Sequence, residues 1–157
     1  MKKMNFLAKL KGEGKLKAVE PSEEVKEAYL TKSESNLSSA KLLLENDKLE
    51  ESVYLAYYSM YNSLLALLFR VGIKSENHSA SIILLRKVFD IDNPDISFAK
   101  RERVDKQYYV DFHVTKEDVE ELIEKAEDFN KWLLDFLSKL TNERIKLYQE
   151  QFKKLTG

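Results

Sequence analysis

The feature that most constrains this chain is an uncharged run of 17 residues, Val53–Phe69, near the middle of the sequence. As an α-helix the run would be about 25 Å long, which is shorter than the hydrocarbon core of a bilayer. It also contains four tyrosines, two serines and an asparagine, whose polar atoms need partners that lipid does not provide. A helix that is apolar on nearly all sides is usually covered by other helices or by a second subunit. The run therefore predicts a central, buried helix and no membrane span.

Helical periodicity and capping residues predict further helices on both sides of this run. The chain has only 4 glycines and 2 prolines in 157 residues, which is typical of long helices joined by few turns. The polar turn at residues 46–48 is short enough to make the helices before and after it antiparallel. The predicted helices run from Ser22 to about residue 45, from about Glu50 to Val71, from His78 to the loop at residues 90–95, from Pro94 to about Tyr109, and from Thr115 to about Leu140. This pattern predicts an all-α fold, an up-and-down bundle of four to five helices.

The first 20 residues differ in composition from the rest of the chain. They carry six lysines against two glutamates, and Gly12 and Gly14 interrupt any long helix. We interpret residues 1–20 as a basic N-terminal arm, which is either a solvated tail or a short amphipathic turn docked through Phe6, Leu7 and Leu10. Because such an arm adds little apolar area, we expect it to be dispensable for folding.

Residues 21–140 then form the predicted helical bundle. Beyond it, Ile145, Tyr148 and Phe152 continue the helical spacing, so residues 141–157 are predicted to be a C-terminal helical extension or a separate short helix. The predicted central helix has more large apolar and tyrosine side chains than the inner face of one bundle needs. We therefore expect a homodimer that uses part of this helix.

Charge and residue types exclude several classes of function. With 26 basic and 27 acidic residues the net charge is −1, so any contact with RNA or a nucleotide must be local. Cysteine is absent, which excludes a disulfide framework, a thiolate metal site and a thiol nucleophile, and predicts a cytoplasmic protein. The sequence has no glycine-rich phosphate loop and no helix with metal-ligand spacing, so neither a cofactor nor a metal is predicted.

The order of features resembles a known family. Three stretches carry the resemblance: "KSESNLSSAKLLLEND", "ESVYLAYYSMYNSLLALLFRVGIKSENHSASIILL" and "RERVDKQYYVDFHVTKEDVEELIEKAEDF". Together, over about Pro21 to Leu140, they resemble the HEPN family (higher eukaryotes and prokaryotes nucleotide-binding), specifically its small stand-alone prokaryotic and archaeal members. The resemblance implies a helical bundle that dimerises, often beside a minimal nucleotidyltransferase partner as a toxin–antitoxin pair.

The resemblance also implies candidate catalytic residues. Active HEPN members are metal-independent ribonucleases, with an arginine, a polar residue, a few more residues and a histidine contributed to a cleft at the dimer interface. On this sequence the motif corresponds to Arg70 and His78. A histidine near a helix N-terminus stays neutral more readily and can act as a base, and an arginine fork matches a phosphate.

The sequence departs from that motif in two ways, which keeps a structural interpretation open. The residue after Arg70 is the apolar Val71, and seven residues separate Arg70 from His78. Arg70 could instead cap the last carbonyls of its helix, and His78 could fill the first turn of the next one. The catalytic interpretation predicts that mutation of Arg70 or His78 lowers activity on RNA, whereas the structural interpretation predicts that it lowers stability.

Other residues are candidates for binding RNA or a nucleotide. Asn62 belongs to a small and polar stripe on the central helix that leads to Arg70, although close helix packing explains the stripe equally well. A basic run followed by tyrosine could follow a phosphate backbone and stack a base, or could form surface ion pairs; its candidates are Lys100, Arg101, Arg103, Lys106 and Tyr108. The leading hypothesis is a HEPN-type protein that acts on RNA or nucleotides; in its most specific form it is a metal-independent endoribonuclease of a toxin–antitoxin or nucleotidyltransferase module. The alternative is a non-catalytic subunit for dimerisation or for binding a nucleotide or partner.

Overall fold

The computed structural model describes residues 5–108 and 113–157, with the backbone alone for residues 105–108. Within these residues it has seven helices and two short strands. They are, in chain order, α1 (Phe6–Gly12), β1 (Leu16–Ala18), α2 (Glu23–Glu45), α3 (Leu49–Val71), β2 (Ile73–Ser75), α4 (His78–Lys87), α5 (Pro94–Tyr108), α6 (Lys116–Ser138) and α7 (Asn142–Thr156). The predicted all-α class is confirmed.

Helix α3 is the centre of the molecule, as the uncharged run predicts. It packs against α2, α4, α5, α6 and α7, and most of its side chains from Ser52 to Val71 are buried. Its apolar faces are therefore covered within one subunit. The burial of α3 does not by itself require a second copy of the chain, so the sequence argument for a homodimer loses its physical reason.

The helix boundaries follow the capping residues. The Ser22 hydroxyl accepts a hydrogen bond from the Val25 amide and begins α2. Gly72 ends α3 in the left-handed conformation, with φ at 89°, which a glycine adopts without steric cost. Thr115 and Asp118 form a reciprocal capping box at the start of α6. Each of these ends lies where the sequence predicts it.

The N-terminal segment is packed into the fold, which is the docked alternative of the two that the sequence leaves open. Leu7, Leu10 and Leu16 are buried, and α1 contacts α7. β1 pairs antiparallel with β2, with Leu16 opposite Ser75. The expectation that this arm is dispensable for folding assumed little apolar area and is wrong on that point, because its leucines belong to the main hydrophobic core. The three-part division of the chain remains a prediction about domain organisation.

The C-terminal segment is a separate helix, α7, and not a continuation of α6. The Thr141 hydroxyl accepts a hydrogen bond from the Arg144 amide, which starts the new helix after a break at residues 139–141. Ile145 and Phe152 are buried on its inner face. The Gln149 side-chain amide donates a 3.0 Å hydrogen bond to the Val71 carbonyl, one of the orphan acceptors at the end of α3.

A hydrogen-bonded polar cluster links three helices inside the bundle. The Ser33 hydroxyl of α2 donates to the Ser59 carbonyl of α3, and the Ser59 hydroxyl donates to the Ser33 carbonyl. The Asn130 side chain of α6 bonds the Ser59 and Ser63 hydroxyls at 2.8 Å each. Small serines let the helices approach closely, and the reciprocal bonds satisfy groups that would otherwise be buried without partners. Within the described residues, no helix is long and apolar enough to cross a bilayer.

Candidate functional site

His78 is the first residue of α4 and follows directly on the short sheet. The Asn77 side chain caps the helix by accepting a 2.9 Å hydrogen bond from the Ala80 amide. One residue earlier, the Glu76 amide donates to the Lys15 carbonyl and so ties the turn to the N-terminal segment. The β1–β2 pair and the Asn77 cap together determine the position of His78 in the fold.

Three tyrosines of α3 surround the His78 ring. The Tyr57 hydroxyl lies 2.7 Å from His78 Nδ1, within hydrogen-bond distance. The Tyr61 ring stacks on the imidazole at 3.9 Å between centroids with 13° between planes. The Tyr58 ring meets the imidazole edge-on at 6.3 Å. The hydrogen bond to Nδ1 and the stacked ring together hold the imidazole in one orientation.

Two cations from α5 complete the cluster. The Arg103 guanidinium lies 5.3 Å from the centre of the Tyr57 ring and 5.5 Å from that of Tyr58. Its Nη1 donates a 3.0 Å hydrogen bond to the Tyr58 hydroxyl. The Lys100 ammonium donates to the hydroxyl of Ser79, the residue next to His78. Cation–π contact with two rings fixes the position of a planar, permanently charged group.

Burial and charge favour neutral His78. Burial of the half-exposed imidazole lowers its pKa below the usual value, and the positive charges of Arg103 and Lys100 lower it further. The pKa of the Tyr57 hydroxyl is raised, mainly by burial. Tyr57 therefore remains a neutral hydroxyl at neutral pH, and His78 beside it is an uncharged imidazole able to accept a proton.

Arg70 contacts α2, whereas His78 contacts the tyrosines of α3. Its Nε lies 2.6 Å from a Glu23 carboxylate oxygen at the start of α2. Glu23 also pairs with Lys26, and the hydrogen bond from Lys26 is the main cause that lowers the pKa of this carboxyl group. The described contacts of Arg70 and His78 share no residue. The arginine that faces His78 within the subunit is Arg103.

The remaining predicted binding residues lie in several places. Asn62 donates a 2.7 Å hydrogen bond to the Asn36 side chain and so joins α3 to α2. Arg101 is exposed and lines a groove between α4 and α5. Lys106 and Tyr108 belong to α5, but their side chains lie outside the described residues. The structure thus brings His78, Lys100 and Arg103 together, with Arg101 next to Lys100 in sequence.

The three tyrosines of α3 are not among the site residues that the sequence predicts. Tyr57 and Tyr61 are one helical turn apart and Tyr58 is adjacent to Tyr57, so a shared face was readable from the spacing. What the spacing could not tell was that His78 would meet this face. Among the side chains that the structure describes, those of residues 5–104 and 113–157, no group of three or more from histidine, aspartate and glutamate is placed to hold a metal ion.

The fold and this cluster define an all-α bundle with a tyrosine-held histidine at the start of a helix. A family model described as the HEPN domain matches residues 26–143. The chain belongs to the HEPN domain family, as the sequence resemblance indicates.

Two archaeal proteins are similar to the chain. "UPF0332 protein PH1297" of Pyrococcus horikoshii is 50% identical over 56 residues, which are 36% of this chain and 39% of that protein. "Putative toxin MJ0605" of Methanocaldococcus jannaschii is 30% identical over 110 residues, which are 66% of this chain and 81% of that protein. The match to the first protein thus spans well under half of its length.

Proposed function

We propose that this HEPN protein binds single-stranded RNA and cleaves it without a metal ion, in a toxin-like role. The observation that carries the proposal is the His78 cluster: a half-buried, neutral imidazole bonded to Tyr57 and faced by Arg103 and Lys100. The name of the relative from M. jannaschii, "Putative toxin MJ0605", is consistent with that role.

The cluster supplies the groups that such a reaction needs. When Nδ1–H donates to the Tyr57 oxygen, the other ring nitrogen of His78 carries a lone pair that can take the proton of an RNA 2′-hydroxyl. The 2′-oxygen then attacks the adjacent phosphorus and forms a 2′,3′-cyclic phosphate, while the bond to the 5′-oxygen of the next nucleotide breaks and that oxygen takes a proton from water; the imidazolium afterwards returns its proton to solvent. Arg103 and Lys100 are near enough to His78 to depress its pKa, and from there they can stabilise the charge that builds on the phosphate.

Arg70 is proposed as a further cation for RNA. Its carboxylate partner Glu23 has a side chain that is 61% exposed, so the pair is open to solvent and a phosphate can replace the carboxylate. In the family resemblance the arginine and histidine belong to a cleft between two subunits. We therefore propose a homodimer in which Arg70 extends the binding surface that begins at His78.

A second candidate function is binding without cleavage. Val71 is fully buried, and the Arg70 charge is balanced by Glu23 within the same subunit. Both observations favour a subunit that holds a nucleotide, an RNA or a minimal nucleotidyltransferase partner and does not cleave. The two candidate functions differ in whether replacement of His78 changes a rate of RNA cleavage.

The deciding experiment is RNA cleavage by purified protein in excess EDTA, with a histidine control. His78→Ala should lower the cleavage rate by about a hundredfold or more, since general base catalysis contributes on this order. The matched control is His113→Ala, which removes an exposed histidine and should leave the rate unchanged. Cleavage that survives His78→Ala, or wild-type protein that binds RNA without cutting it, would contradict the catalytic proposal, and the latter result would support binding alone.

An NMR titration of His78, together with RNA affinity, separates the two arginines. Arg103→Gln should raise the pKa of His78, measured from its imidazole NMR resonances, because a positive charge that lowers this pKa is removed. Arg70→Gln should lower RNA affinity and leave that pKa unchanged. Light scattering of the purified chain, alone and after co-expression with a minimal nucleotidyltransferase, tests the proposed homodimer and partner.

A further inference from the structure

Two grooves on the surface meet at the C-terminal end of α4. The first lies between α4 and α5 and has a volume of about 420 Å³; it is lined by Ile83, Arg86, Lys87, Asn93 and Arg101, among others. The second lies between the end of α4 and α7 and has a volume of about 430 Å³. Because Arg86 and Lys87 line both, the two grooves adjoin, and we call them together the α4 groove.

The α4 groove is basic although the chain as a whole is slightly acidic. Its charged lining in the described residues consists of five cations, Arg86, Lys87, Arg101, Arg144 and Lys154, and three anions, Asp90, Asp92 and Glu150. None of the ion pairs found in the described part of the chain involves any of the five cations. The groove therefore presents a local positive surplus whose charges are available to a polyanion.

The groove lies along the helix whose first residue is His78. Arg101 follows Lys100, which bonds the residue next to His78. Helix α4 has 10 residues from His78 to Lys87, so its ends are about 15 Å apart and the groove runs along it. A chain that is bound at His78 and follows α4 can therefore reach Arg86, and Arg101 lines the same groove.

We propose that the α4 groove binds the phosphate backbone of single-stranded RNA that extends from His78 towards α7. This inference rests on the proposed function and adds the path of the substrate. Three of the five cations are arginines, whose planar forks match phosphate oxygens. Exposed apolar atoms on Ile83 and Leu147, 37% and 56% exposed, offer surface against which bases can lie.

The far end of this path lies outside the region that the family model covers. Arg144 and Lys154 belong to α7, whereas the match ends at residue 143. The C-terminal helix thus supplies RNA contacts that the matched bundle does not contain. An acidic protein segment could use the same charges, but continuity with a histidine suited to RNA cleavage favours RNA as the occupant.

The test compares two paired substitutions on the same helix. Arg144→Gln with Lys154→Gln removes two cations from the α4 groove. Lys146→Gln with Lys153→Gln is the matched control, because both lysines lie on α7 but line a different cavity, beside Gly72. Each protein is titrated with fluorescent single-stranded RNA carrying 2′-O-methyl groups, which resists cleavage, as a long oligonucleotide and as a trinucleotide. Thermal unfolding checks that all variants fold.

The groove pair should weaken binding of the long RNA about tenfold near physiological salt. It should also reduce the slope of log affinity against log salt by about 1.4, since each neutralised phosphate contact on a single strand contributes about 0.7. Trinucleotide binding should not change, and the control pair should change neither ligand's affinity.

Three results would overturn the inference; the first of them, and the result described last, distinguish it from the cleavage proposal. Equal long-RNA affinity and slope for the groove pair and the control pair would reject the groove while His78-dependent cleavage stands. Absence of RNA binding at low salt would reject both. Binding of polyglutamate, but not RNA, with loss in the groove pair would assign the surface to an acidic protein. Groove-dependent binding without any cleavage would support the groove and reject cleavage alone.

Discussion

Leu16→Ala tests whether the N-terminal segment is part of the folding unit. Leu16 is 0% exposed, belongs to the main core, and lies opposite Ser75 in the two-stranded sheet. The substitution removes a buried side chain but keeps the strand's backbone hydrogen bonds. It therefore isolates the apolar contribution of a segment that the sequence suggested could be removed.

The expected cost follows from the burial of the leucine. Replacing a buried leucine by alanine loses the transfer free energy of the removed atoms and leaves a cavity, together about 2 to 5 kcal/mol. Leu16 has no exposed surface and joins the N-terminal segment to the core of the bundle. We therefore expect Leu16→Ala to lower the free energy of unfolding by about 3 to 4 kcal/mol. That is a large share of the roughly 5 to 15 kcal/mol that stabilises a typical domain.

Urea unfolding followed by circular dichroism at 222 nm measures this cost as a change in midpoint at constant slope. The control is Leu42→Ala, since Leu42 is 60% exposed on α2 and its replacement should stay within about 0.5 kcal/mol. A cost below about 1 kcal/mol for Leu16→Ala would refute the reasoning. It would mean that the segment docks without contributing to the stability of the bundle.

Three further predictions concern the turn, the polar cluster and the histidine. Gly72→Ala should destabilise by more than about 1 kcal/mol, measured by urea unfolding, because φ is +89° and a Cβ would lie 2.5 Å from the Val19 carbonyl oxygen. Asn130→Ala should cost about 1 to 3 kcal/mol in the same assay, since it leaves the Ser59 and Ser63 hydroxyls buried with fewer partners. His78 is held neutral in the folded state, so its contribution to stability should be complete above about pH 6.5 and should fall as the pH drops below that value. His78→Asn should remove that part of the pH dependence, and identical unfolding profiles for the two proteins between pH 5 and pH 8, roughly the range in which histidine titrates, would contradict it.

The candidate site was predictable only in part. The family resemblance predicts His78, and a local density of basic residues predicts Lys100 and Arg103; the structure brings these three together. The resemblance also predicts Arg70 as the partner of His78, but the contact of Arg70 is with Glu23. Spacing along one helix and across one turn cannot show which neighbouring helix a side chain will meet, and here α2 meets Arg70 while α5 meets His78.

Tyr57 and Tyr61 show the same limit of prediction from sequence. The sequence established that the helix containing Tyr57 and Tyr61 is buried, because an uncharged run of this length has no other stable place in a folded domain. It did not establish that the polar ends of these side chains would be directed at an imidazole. Whether the tyrosines meet an imidazole depends on where α4 begins, and α4 begins just after the β1–β2 pair ends.

Local signals determined the helices of this protein. Caps such as Ser22, Gly72 and Thr115 act within one helical turn, and apolar periodicity acts within one helix, so both can be read without knowing the fold. Pairing of residues 16–18 with residues 73–75 joins segments more than fifty residues apart. Neither strand is long enough to be recognised in the sequence by an alternation of apolar and polar residues. Only the tertiary structure decided that pairing, the docking of the basic arm and the meeting of His78 with Arg103, because each depends on contacts between elements that are distant in sequence.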